Sequence, residues 1–111
     1  MRSRKEILKD LVLLRGSIEF LEKELSQYSW DMKAPLLSVS ANDFIDVLQR
    51  GIDNEIDFQI VSNWANAIEC RDDLEFANEE MQEIIFELAN PEINGEITKE
   101  RLSEIITLLG K

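Results

Sequence analysis

Seven apolar residues, Ile7, Leu11, Leu14, Ile18, Leu21, Leu25 and Tyr28, recur at alternating spacings of four and three near the start of the chain. An α-helix turns once every ~3.6 residues, so this rhythm lays all of them along one stripe. It predicts a long N-terminal helix packed against partner helices. Leu8, Val12 and Phe20 widen the stripe beyond a two-residue seam, which predicts a globular bundle in place of an isolated coiled coil. Gly16 weakens the middle of that helix by about 1 kcal/mol relative to alanine. Either two helices cross closely there or the helix breaks into two.

From Ser29 to Val39 the rhythm lapses, and Pro35 marks a connection. Trp30, Met32, Leu36 and Leu37 make that connection apolar enough to lie across a core. Ser40-Ala-Asn-Asp43 fits a capping box and opens a helix over 41–50, with Phe44, Ile45, Leu48 and Ile52 inward and Gly51 as its stop. Asp53 or Asn54 can cap a third helix whose buried face is Ile56, Ile60, Trp64, Ala67 and Ile68, with Val61 and Ala65 beside it. Asp72 or Asp73 either continues that helix or starts the next. The fourth turns Ala77, Met81, Ile84, Ile85 and Leu88 inward and ends at Asn90-Pro91. After a turn at Asn94-Gly95, Thr98 caps a last helix with the stripe Leu102, Ile105, Ile106 and Leu109. No stretch alternates convincingly as a strand. About five amphipathic helices in 111 residues predict a single all-α domain, 1–111.

Charge is distributed unevenly. Between Asp53 and Glu96 stand thirteen carboxylates and one cation, Arg71, a net of −12 where the whole chain carries −11. Such a field attracts basic partners and repels nucleic acid phosphate, so a nucleic acid partner is not expected. Solubility alone explains many negative surfaces. Here, however, opposite charges are nearly missing from a stretch where mixing is usual, and self-repulsion costs stability. Binding of a basic protein is the better account.

Other chemistry finds little support. The chain has no histidine, the usual base near neutral pH and the commonest metal ligand. Asp53-Asn54-Glu55-Ile56-Asp57 begins like a calcium loop, yet Phe58 stands where glycine is required and Trp64 where a bidentate glutamate is required. Asp72 and Asp73 are adjacent on a helix and diverge by about 100°, so they do not converge on one substrate atom. Cys70 is the single cysteine, which excludes an internal disulfide and fits a reducing compartment. No apolar run approaches the ~20 residues that span a bilayer. A cytoplasmic protein is expected, without enzyme activity, cofactor, metal or membrane association.

The stretch Trp64-Ala-Asn-Ala-Ile-Glu-Cys-Arg-Asp-Asp-Leu74, with Ile85-Phe-Glu-Leu-Ala-Asn-Pro-Glu-Ile-Asn-Gly95, resembles small helical bacterial immunity proteins of contact-dependent growth-inhibition and related polymorphic toxin systems. The likeness covers about residues 48–109 and carries no catalytic signature. It implies a cytosolic antidote that binds one cognate toxin domain, often a nuclease, and blocks it. A nuclease grips phosphate with a basic surface, which agrees with the charge argument.

Asp57, Asp72, Asp73, Glu75, Glu79, Glu80, Glu83 and Glu87 form the expected contact surface. Arg71 is expected to hold a structural ion-pair network, with Glu69 among its neighbours. Trp64, in register with Ile60 and Ile68, is expected in the core. A solitary monomer is the expected state. The rival reading is an adaptor that pairs through its N-terminal helix, and an exposed seam from Ile7 to Tyr28 would favour it.

Overall fold

The computed structural model describes residues 3–27, 37–69, 71, 74–76 and 79–110. Among them the chain forms α1 (Arg4–Val12), α2 (Ile18–Leu25), β1 (Leu37–Val39), α3 (Ala41–Ile52), α4 (Phe58–Glu69), β2 (Leu74–Phe76), α5 (Glu79–Ala89), α6 (Pro91–Asn94) and α7 (Lys99–Leu109). The molecule is mainly helical, as expected, but not wholly so. β1 and β2 pair in parallel, Leu37 opposite Leu74 and Val39 opposite Phe76. Parallel strands need a long crossover, and α3 with α4 supplies it.

The single long N-terminal helix is not formed; two helices stand in its place. Leu14 adopts a left-handed φ of 53° and Gly16 a φ of 114°, which ends α1. Two backbone bonds close its last turn, Arg15 N–H to the Asp10 carbonyl at 2.8 Å and Leu14 N–H to that of Leu11 at 3.1 Å. That is the Schellman arrangement, in which glycine ordinarily takes the left-handed position. A leucine there costs roughly 1–2 kcal/mol. Three side-chain bonds from distant elements offset it. Trp64 Nε1–H donates to the Val12 carbonyl at 3.0 Å. The Arg50 guanidinium donates to the carbonyls of Leu13 and Leu14 at 3.2 and 3.0 Å. These are orphan groups of a helix C-terminus, where positive charge is also favoured. Ser17 then caps α2, its Oγ accepting from Phe20 N–H at 3.3 Å. Replacing Arg50 with alanine should therefore lower the unfolding free energy by roughly 1.5–3 kcal/mol, read from the urea midpoint, with the far-UV spectrum retained.

The capping box at Ser40 forms in both directions, Ser40 N–H to Asp43 Oδ2 at 3.1 Å and Asp43 N–H to Ser40 Oγ at 3.4 Å. Gly51 does not stop α3. The helix runs to Ile52 with Asp53 as its cap, and Asn54 takes the left-handed position with φ 64°. Gly51 serves close approach instead. A Cβ there would stand 3.2 Å from Leu102 Cδ1 and 3.3 Å from Val61 Cγ2, so α7 and α4 both pack onto its bare backbone.

Asp57, not Asp53 or Asn54, caps α4: its Oδ1 accepts from Ile60 N–H at 2.8 Å. Starting the helix at Phe58 turns the buried side to Val61, Ser62, Trp64, Ala65 and Ile68. Ile60, expected inside, is 37% exposed. Trp64 is fully buried at the centre of the core, as expected. The Phe44 ring meets it edge-on at 5.4 Å between centroids, and Phe76 meets Phe44 at 6.0 Å. Ile7, Leu11, Leu21, Leu48, Met81, Leu88 and Leu102 complete that core around the rings. Tyr28, Trp30, Cys70 and Ala77 lie outside the described residues.

Candidate partner-binding surface

α5 carries the surface that remains acidic in three dimensions. Its inner stripe, Met81, Ile84, Ile85, Leu88 and Ala89, is buried, and the bundle holds the helix by that face. Glu79 and Glu80 occupy the first turn, where the helix dipole stabilises negative charge by about 0.3–1 kcal/mol each. At the other end, Pro91 follows Asn90, whose side-chain amide donates to the Phe86 carbonyl at 2.8 Å. Glu79, Glu80, Gln82, Glu83 and Phe86 are exposed. Among the described residues no cation pairs with Glu79, Glu80 or Glu83.

Of the other expected contact residues, Asp57, Glu75 and Glu87 do not join this group. Asp57 caps α4 and sits in another part of the chain's architecture, its carboxylate engaged by backbone. Along β2 successive side chains point to opposite faces. Leu74 is buried and Phe76 half-buried, so Glu75 is turned to the other side, where Ser38 Oγ–H donates to its Oε2 at 3.4 Å. Glu87 is not part of a free outward row. Arg101 of α7 grips both its oxygens at 2.7 Å and reaches Glu104 at 3.2 Å. The hydrogen bonding that Arg101 donates to the Glu87 carboxylate is the main cause that raises the Arg101 guanidinium above its ordinary pKa, against a smaller opposing effect of burial. Both partners are about a third exposed, so the pair is worth only about 1 kcal/mol. Arg101→Gln should lower stability by about that amount and less in ~1 M salt, measured by denaturant titration at both ionic strengths. Asp72 and Asp73 lie outside the described residues.

Phe86 is the residue that sequence periodicity passes over. It follows Glu79 by seven positions and Glu83 by three, so it shares their face, and it is 48% exposed. Beside it runs a groove of about 480 Å³ lined by Leu74, Phe76, Gln82, Ile85 and Phe86, with Glu69 and Arg71 at its α4 side. The signal was present in the chain: a phenylalanine off the buried stripe and between glutamates. Aromatic side chains in such a position are common anchors of protein interfaces.

No group of three or more metal-ligating side chains occurs among the described residues. No described helix is long and apolar enough to cross a membrane. Comparison of the chain with protein-family models, with curated proteins and with solved structures yields no match.

Proposed function

We propose that this chain is a stoichiometric inhibitor of the immunity-protein kind, a cytoplasmic, non-enzymatic binder that neutralises a cognate basic toxin domain, a nuclease by the charge argument. One observation carries the reading: Glu79, Glu80 and Glu83 stay solvent-facing and without a cationic neighbour among the described residues, on a helix whose other face is locked in the core. The helix dipole favours Glu79 and Glu80 locally, and the mutual repulsion of like charges on one face offsets part of that gain unless a partner compensates it. A basic nuclease surface would supply that compensation, and steering by opposite fields would speed its capture. Occlusion of the phosphate-gripping surface then blocks the substrate.

The adaptor reading has less support. Ile7, Leu11, Leu14, Leu21 and Leu25 are all buried in the protein's own core, so the seam that a partner helix would need is occupied. The deciding experiments are inspection of the neighbouring reading frames for a toxin domain, co-expression with the domain found there, and calorimetry on the purified pair. Restored growth and a one-to-one complex support the proposal. Persistent growth inhibition with no heat of binding sinks it.

A further inference from the structure

We infer that the groove between β2 and α5 is the anchoring pocket for a cationic segment of the partner, one that inserts an apolar side chain flanked by lysines or arginines. The inference rests on reading the α5 surface as protein-binding, and it adds the chemistry of what is bound. The pocket floor is apolar, built from Leu74, Phe76 and Ile85, with the Phe86 ring as one wall. Phe76 packs edge-on against Phe44, which packs edge-on against Trp64. The floor is thus tied to the aromatic centre of the core, which favours a pocket formed before binding. Its volume of about 480 Å³ falls in the range of pockets that take a compact ligand or a few side chains.

The rim decides which segment fits. Glu79 and Glu83, on the same helix face as Phe86, stand beside the lining, and among its described residues Glu69 and Arg71 are the charged ones. An apolar segment with acidic neighbours would be repelled, and a neutral one would leave the carboxylates uncompensated. A segment with a central apolar residue and basic neighbours satisfies floor and rim together. Four other large apolar side chains are notably exposed, Phe20, Ile60, Ile93 and Leu108. None of them belongs to this lining.

The test uses the intact chain, labelled with nitrogen-15, and three synthetic peptides: lysines around one phenylalanine, lysines alone, and glutamates around one phenylalanine. The first should shift the amides of Leu74, Phe76, Gln82 and Phe86 and bind at least tenfold tighter than the second, while the third leaves these amides unmoved. Phe86→Ser should abolish the tenfold preference and keep the weak binding of lysines alone. Gln82→Lys, at an exposed position, should weaken the first peptide with no loss of fold. Equal affinity for the two lysine peptides, or a preference that survives Phe86→Ser, overturns the pocket, as does equal binding of the glutamate peptide. A toxin-domain complex indifferent to Phe86→Ser removes the pocket alone, whereas absence of any complex removes the inhibitor reading beneath it.

Discussion

Trp64→Ala should destabilise the protein by roughly 3–5 kcal/mol, a large part of the ~5–15 kcal/mol that holds a domain folded. Three losses coincide. The largest fully buried side chain leaves a cavity beside Phe44. The edge-on contact with Phe44 at 5.4 Å disappears, worth about 0.5–1.5 kcal/mol beyond burial. The Val12 carbonyl loses its donor at the end of α1. Trp64→Phe separates these effects, because it keeps a ring and removes the indole N–H. That variant should lose about 1–3 kcal/mol. Thermal melts of the two variants check the order; a phenylalanine variant as stable as the parent would show that the bond to Val12 contributes nothing.

Reversal of Glu79, Glu80 and Glu83 to lysine should slow association with the cognate basic domain by tenfold or more at low ionic strength, since steered encounters exceed neutral ones by ~10–10³. The effect should largely vanish near ~1 M salt, where the screening length is about 3 Å. Stopped-flow association at the two ionic strengths separates steering from misfolding, because a folding defect would persist in salt. Some stability is also lost, about 0.3–1 kcal/mol for each reversed charge in the first turn of α5. The melt of the triple variant measures that part. An association rate unchanged at low salt would remove the acidic face from the mechanism.

Local signals read well from the chain alone. The capping box at Ser40 and the cap at Thr98, whose Oγ1 accepts from Arg101 N–H at 3.1 Å, each depend on residues three positions apart. The break in the first helix reads only as one of two alternatives at Gly16, which does take a left-handed φ. Leu14, in heptad register, reads as helix, and Arg50 and Trp64, far along the chain, help to hold its left-handed turn. β1 and β2 have three residues each, too few for alternation to show, and their pairing joins positions 37 apart. The buried face of α4 centres on Val61, Trp64, Ala65 and Ile68, one residue round from the stripe through Ile60, Trp64 and Ile68 that the spacing suggests, so Ile60 lies at its edge.

The acidic surface was readable as a sum and not as an arrangement. Residue type identifies Glu79, Glu80, Glu83 and Glu87 equally, and helical spacing places them all outward. Only the approach of α7 assigns Glu87 to Arg101. Strand alternation separates Glu75 from the α5 group, but it cannot operate on a strand that the sequence does not announce. Asp57 shows the same ambiguity, because a helix cap and a solvent-facing carboxylate look alike until the helix boundary is known. Conversely, Phe86 lacks a charge to draw notice, and its exposure follows from packing on the neighbouring turns.

The closure of α1 by Arg50 and Trp64 has a consequence for vectorial synthesis. The indole that accepts responsibility for Val12 lies 52 positions downstream. At ~5–20 residues per second on the ribosome, about 3–10 s pass before that donor even exists. During the interval the Val12 carbonyl lacks that donor and the apolar stripe of α1 lacks the α4 face it packs beside in the finished core, so completion of this end of α1 follows the synthesis of α4.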